Sequence, residues 1–234
     1  MSMRLVTAIV AARNAELYIA DAIGSVLDQT HSNTEVVVVD HCSTDTTVEL
    51  VNSIRDERIR LTKLGVHAQS WKLGAVRNFG IARARGAYIA VCDADDIRYR
   101  TSFEVEAEYL DTHPDVAIVG SQYDELDPDG RVIENPSAET LWQCTGFRVE
   151  GEYRNERDWR RGLAGSPSSV LREIYRTSRG PFSCPLAPTT TMYRRTAFCE
   201  VGGYKEDVSH FTDAWLHRSL AASFDLALLP DVLA

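Results

Sequence analysis

One unit recurs through the first 125 residues of the chain: an apolar run of strand length, then a stretch with helical periodicity. Leu5–Ala11 (LVTAIVA), Glu35–Asp40 (EVVVVD), Tyr88–Cys92 (YIAVC) and Val116–Gly120 (VAIVG) read as strands, with Arg58–Lys63 as a further one. Their near-continuous apolar character suits strands covered on both faces. Between them, Ala15–Gln29 places Ile19, Ile23, Val26 and Leu27 on one helical face. Thr46–Ser53 reads as a helix with Thr46 and Glu49 at capping-box spacing. Ser70–Arg85 is helical with Gly86 as its C-terminal cap, and Thr101–Thr112 is a fourth helix. Strands joined by helices of this length are parallel neighbours linked by right-handed crossovers. The fold class is therefore α/β, a mainly parallel central sheet flanked by helices. Ligands of such sheets bind beyond the carboxyl ends of the strands.

Carboxylates stand at two of those ends, Asp40 and the cluster Asp93-Ala94-Asp95-Asp96. Three carboxylates in four residues repel one another unless a cation or hydrogen-bond donors compensate. Hard oxygen ligands of this kind suit Mg²⁺ or Mn²⁺ held together with substrate phosphates. An acidic turn preceding the helix at Thr101 accounts for the cluster equally well. A calcium loop counted from Asp93 fails, because Arg98 stands where its turn glycine belongs.

Beyond Glu134 the pattern weakens. Asp127-Pro-Asp-Gly130 has turn chemistry and closes a hairpin with Arg131–Ile133. Pro136–Pro188 is irregular, with helix-like pieces at Arg157–Leu163 and Ser169–Arg176, and a long irregular stretch of this kind is often a functional loop. Then follow a strand at Thr189–Tyr193, a helix at Arg194–Val201 stopped by Gly202-Gly203, a helix at Asp213–Ala222 and a short strand at Leu226–Leu229.

A net charge of −9 argues against general nucleic-acid binding, which draws its affinity from a basic surface. Arg148–Gly180 nevertheless carries more arginine than acid, a solvated surface or else a rim above an anionic ligand. The five cysteines include no Cys-x-x-Cys pair, so neither a disulfide framework nor a zinc site is indicated. No apolar run approaches a membrane span, and the N-terminal run is too short and poorly flanked for a signal peptide. The expected location is cytoplasmic, at most peripheral to the inner face of the membrane. At 234 residues the chain is expected to form one domain.

Four ordered segments resemble glycosyltransferase family 2. They are IVAARNAELYIADAIGSVLDQTHSNTEVVVVDHCSTDTTVELV from Ile9, GAVRNFGIARARGAYIAVCDADD from Gly74, VAIVGSQYDELDPDGRVI from Val116 and TTTMYRRTAFCEVGGYKED from Thr189. The resemblance covers nearly the whole chain and is weakest between Pro136 and Pro188. It implies a GT-A fold, with residues 1–125 binding a nucleoside-diphosphate sugar and residues 126–234 forming a smaller acceptor-side region. It also implies an inverting, metal-dependent hexosyl transfer, with Mn²⁺ or Mg²⁺ bound at an Asp-x-Asp motif. By motif position, Ala11, Ala12 and Arg13 would lie against the nucleoside and Asp40 would accept a hydrogen bond from the base. Arg77 would sit near the diphosphate, Asp93 near the ribose and the metal, and Asp95 would ligate the metal. The acceptor would be a saccharide, a lipid-linked glycan or a small molecule, and a homo-oligomer is compatible with all of this.

The chain departs from the family pattern in three places. The expected Glu-Asp before Trp215 is replaced by His210-Phe211-Thr212-Asp213. Asp213 is the candidate general base, in a shifted register, with His210 and Asp207 as fallbacks. His41 and Cys42 stand where the family has aspartate and glycine, and the sequence ends at Ala234, where relatives typically continue into a basic, His-containing segment. Two other readings compete: a catalytically inactive glycosyltransferase-like binding module and a sugar nucleotidyltransferase. The glycine-rich loop of the latter is absent, as are the glycine fingerprints of nicotinamide dehydrogenases and P-loop NTPases.

Overall fold

The structure, a computed structural model, describes residues 3–127, 129–133, 163–177 and 186–234. Along them run β1 (Val6–Ala12), α1 (Ile19–Leu27), β2 (Thr34–Asp40), α2 (Thr47–Ser53), β3 (Ile59–Lys63), α3 (Leu73–Ile81), β4 (Tyr88–Asp93), α4 (Ser102–Thr112) and β5 (Val116–Gln122). The second half contributes α5 (Ser168–Thr177), β6 (Thr191–Arg194), α6 (Arg195–Glu200), α7 (Thr212–Ser223) and β7 (Asp225–Val232). The seven strands form one sheet in the order β3-β2-β1-β4-β6-β5-β7. β1 pairs in parallel with β2 and β4, β2 with β3, and β5 with β7. Only β6 runs against its neighbours, between β4 and β5. The mainly parallel α/β architecture is the expected one.

Burial explains why the strands read as unbroken apolar runs. Every residue of β2 is buried. Val37 and Val39 enter the core on one face with Val76 of α3 and Leu216 of α7, while Val36 and Val38 pack on the other with Ile23 of α1 and Phe103 of α4. Each such side chain contributes about 1.5–3 kcal/mol on leaving water.

Several local expectations need correction. The capping box of α2 is not formed: Thr46 makes no side-chain cap, and its hydroxyl donates to Glu16 Oε2 at 2.7 Å. α1 begins at Ile19 rather than Ala15, because the Ala15 amide is drawn to Thr47 Oγ1 at 2.8 Å. Both changes have one cause, the lacing together of the loops that follow β1 and β2. Gly86 is not a helix cap either, since α3 ends at Ile81. A Cβ on Gly86 would lie 2.6 Å from Thr7 Oγ1 and 2.7 Å from the Thr7 nitrogen, so glycine there lets the chain pass close beside β1.

The last strand is longer than its apolar core, running on through Pro230 to Val232. Proline is tolerated because β7 is an edge strand and its register with β5 shifts between Gly120 and Gln122. A 3₁₀ turn at Pro188–Thr190 delays β6 to Thr191. The hairpin closes as expected, with Leu126 bridging Val132 and the Asp127 amide donating to the Arg131 carbonyl at 2.9 Å. Ser169–Arg176 falls within α5. The helix-like piece at 157–163, Leu163 apart, and most of the arginine-rich stretch lie outside the described residues.

Candidate functional site

The strand register assembles the site. Ala12 of β1 lies opposite Asp40 of β2, and Ala11 lies opposite Asp93 of β4. Side chains alternate along a strand, so Asp40 and the core-buried Ala12 face one side of the sheet, Asp93 and the half-buried Ala11 face the other, and Arg13 is exposed just beyond. Asp40 is 2% exposed and accepts from the Ser43 amide at 3.3 and 3.4 Å. The turn after it is held by the His41 amide donating to the Ala12 carbonyl at 2.7 Å and by His41 Nε2 against the Ala68 carbonyl at 2.9 Å. Cys42 there has φ 58° and Asn14 in the facing loop has φ 51°. The left-handed conformation costs a non-glycine residue about 1–2 kcal/mol. Cross-loop bonds hold it: the Thr44 amide donates to Asn14 Oδ1, and the Asn14 amide donates to Ser43 Oγ, each at 2.9 Å.

Arg77 joins this row of residues to the C-terminal half. It points inward from α3 with its side chain 2% exposed. Nη2 donates to Asp93 Oδ1 at 2.6 Å, and Nη1 donates to Asp213 Oδ1 and Oδ2 at 2.8 and 3.0 Å. Burial pulls the guanidinium pKa down, but the charges of Asp93 and Asp213 outweigh it and hold the group well above its ordinary value. The Tyr204 ring lies 5.5 Å from the guanidinium carbon.

Two residues of α3 bring the C-terminal half within reach of Arg77. A Cβ on Gly74 would lie 2.4 Å from the Lys205 carbonyl oxygen, so only glycine lets this segment cross the helix so closely. Asn78 then pins the same segment, its Oδ1 accepting from the Tyr204 amide at 3.0 Å and its Nδ2 donating to the Tyr204 carbonyl at 2.9 Å. α7 starts shortly afterwards, and Asp213 in its first turn meets Arg77. Phe211, which strict motif alignment would put at the base position, is 40% exposed with φ 58°. The register that reaches Arg77 belongs to Asp213.

The acidic loop after β4 is anchored by the buried Arg98, which donates to Glu106 Oε2 and to the Thr189 carbonyl. Asp95 is exposed. Burial, aided by the charges of Asp93 and Asp95, raises the pKa of Asp96. Among the described residues no three His, Cys, Asp or Glu side chains converge as a ready-made cation cage. A hard divalent ion is commonly held by one or two carboxylates and completed by phosphate oxygens. Asp95, with the Asp93 oxygen that Arg77 does not take, fits that donor set.

Tyr193, Tyr204 and His217 around Arg77 were not singled out from the sequence. The only signal near them is the Gly-Gly-Tyr turn at 202–204.

The chain matches the family model of glycosyl transferase family 2 over residues 7–202. It belongs to glycosyltransferase family 2. This family 2 chain is 35% identical over 112 residues to the Escherichia coli UDP-Glc:alpha-D-GlcNAc-diphosphoundecaprenol beta-1,3-glucosyltransferase WfaP, covering 47% of the chain and 43% of WfaP. It is 48% identical over 91 residues to the succinoglycan biosynthesis protein ExoO of Rhizobium meliloti, covering 39% of the chain and 25% of ExoO. The chain spans less than half the length of the curated relatives it matches.

Among solved structures, it superposes on Staphylococcus aureus TarS 1–349 in complex with UDP-GlcNAc with a TM-score of 0.68 and 22% identity, covering 98% of the chain and 57% of TarS. For the mannosyltransferase PcManGT of Pyrobaculum calidifontis in complex with GDP-Man and Mn²⁺, the TM-score is 0.67 at 20% identity, covering 100% of the chain and 57% of PcManGT. The fold of this family 2 chain is of the GT-A type, as the resemblance implied.

Proposed function

We propose that the chain carries the transfer site of an inverting glycosyltransferase that moves a sugar from a nucleoside-diphosphate sugar to an acceptor hydroxyl. The observation that carries this reading is the buried Arg77, which holds Asp93 on the strand-end side and Asp213 on the C-terminal side in one ion-paired unit. In this reading a base from one half of the chain is tied through Arg77 to a carboxylate of the other.

The half-buried Ala11 and the exposed Arg13 are the proposed nucleoside contacts, with Asp40 as hydrogen-bond acceptor for the base, while the Ala12 side chain is enclosed in the core. Asp93 is the proposed ribose contact. Mn²⁺ or Mg²⁺ held by Asp95 and Asp93 would supply Lewis-acid neutralisation of the diphosphate. Arg77 is enclosed and both its ends are engaged, so its work is to orient the two carboxylates.

Asp213, 13% exposed and oriented through both oxygens, takes the proton of the acceptor hydroxyl. The acceptor oxygen bonds to the anomeric carbon as that carbon's bond to the diphosphate oxygen breaks. The electron pair leaves with the nucleoside diphosphate, and the anomeric configuration inverts. UDP-sugars are the donors to try first, because UDP-Glc and UDP-GlcNAc appear with WfaP and TarS. A saccharide, free or lipid-linked, is the proposed acceptor.

The test is turnover of a panel of UDP-, GDP- and dTDP-sugars with Mn²⁺ by the wild-type chain, Asp95→Ala and Asp213→Asn. Turnover with one donor, reduced at least a hundredfold in both variants, supports the reading. No turnover with any donor, or equal turnover in all three proteins, favours an inactive binding module.

A further inference from the structure

Asp213 and His217 stand four residues apart on α7, one turn of helix, and so share a face. From each a chain of buried contacts leads away, and the two chains meet. Asp213 accepts from Arg77, and the Arg77 guanidinium lies against the Tyr204 ring. The Tyr204 hydroxyl lies 3.4 Å from the Tyr193 hydroxyl, which is 2.7 Å from His217 Nε2. The helix backbone from His217 to Asp213 closes the ring. Its members come from α3, β6, the 204–207 crossing and α7.

The imidazole is fully buried, and its other nitrogen, Nδ1, lies 3.1 Å from the Tyr175 hydroxyl on α5. A neutral imidazole donates through one nitrogen and accepts through the other, and each nitrogen here lies within hydrogen-bond distance of a tyrosine hydroxyl. Burial above all raises the pKa of both Tyr193 and Tyr204, so their hydroxyls keep their protons.

Apolar contacts are non-directional, so they hold a packed helix in place without fixing the aim of one polar side chain on it. A rotation of α7 of a few tens of degrees would move the Asp213 carboxylate by an ångström or more, which is enough to spoil a reacting geometry. Directional bonds at two points one turn apart remove that freedom. Resting on the reading of Asp213 as the base, we infer that His217 and Tyr193 are positioning residues, which lock the rotation of α7 and aim the Asp213 carboxylate at the acceptor. Neither touches substrate. They act on kcat through Asp213 and leave nucleotide binding alone.

The experiment uses Tyr193→Phe, which removes one oxygen, together with His217→Gln and His217→Phe. Transfer kinetics are read with the donor that the wild type turns over, and affinity is read with UDP and GDP in Mn²⁺. Tyr193→Phe should lower kcat about tenfold while nucleotide Kd stays within twofold, and His217→Gln should retain several times the kcat of His217→Phe because its amide can still bridge. A urea-unfolding cycle of Tyr193→Phe with Asp213→Asn should show unfolding constants that fail to multiply, by threefold or more.

Three results overturn the positioning role while leaving Asp213 as the base: unchanged kcat in Tyr193→Phe, a loss confined to nucleotide Kd, or independent unfolding effects in the cycle. Wild-type kcat in Asp213→Asn overturns the base assignment itself and this inference with it.

Discussion

Both oxygens of Asp213 accept from a single nitrogen of Arg77, at 2.8 and 3.0 Å, while the other terminal nitrogen of the same guanidinium holds Asp93 at 2.6 Å. One cation thus compensates two carboxylates 120 residues apart in sequence. Whatever changes that cation is felt on both sides of the site.

Arg77→Ala would leave two carboxylates facing an empty buried space. Removing one partner of a buried ion pair costs about 3–5 kcal/mol. The urea midpoint should drop accordingly, and turnover should fall at least a hundredfold. Arg77→Lys should rescue little, since a single ammonium cannot span both carboxylates with the geometry of the planar fork.

Asp95→Ala should act on metal linkage before anything else. For the wild type, UDP binding measured by calorimetry should tighten at least tenfold on adding Mn²⁺. In the variant that difference should shrink to within twofold, with thermal stability unchanged because the side chain is exposed.

Glu106 makes stability depend on pH. Burial raises its carboxyl to about 7 from the ordinary 4.5, with Arg98 opposing the rise. The folded state therefore holds a proton more tightly than the unfolded state. Its contribution is fully present below pH 4.5 and is lost as pH rises through 7. The urea midpoint should fall between pH 5 and pH 8, and Glu106→Gln should flatten that part of the profile.

Gly74→Ala places a methyl group 2.4 Å from the Lys205 carbonyl oxygen, a backbone atom that cannot swing aside. The 204–207 crossing must lift away from α3, loosening Asp213. Turnover should fall tenfold or more while UDP affinity stays within threefold, as measured by kinetics and calorimetry on the same preparation.

Much of the scaffold was legible in the sequence, for a physical reason. β1, β2 and β4 are covered on both faces, so their apolar runs stand out whatever the topology. β7 was only partly legible, because its edge position admits Pro230 and Asp231 inside a strand. The strand-end carboxylates were legible as well, since Asp40 and Asp93 close apolar runs and the parallel register aligns those ends. The bridge from Arg77 to Asp213 was not, because no local pattern reports a pairing across 136 residues. Tyr193 and His217 escaped for a related reason: a buried hydroxyl and imidazole that satisfy each other look, residue by residue, like ordinary members of a strand and a helix.

The reversed strand β6 has a consequence for how the chain is made. β4 and β5 are close in sequence, yet in the sheet they touch only through Thr191–Arg194, synthesised about seventy residues after β5. As the chain leaves the ribosome, β3, β2, β1 and β4 can pair at once, but β4 keeps a bare edge until that late strand arrives. Unpaired edges recruit other chains. A nascent chain stalled before Thr191 should therefore be the aggregation-prone form, and one stalled after β7 should be safe.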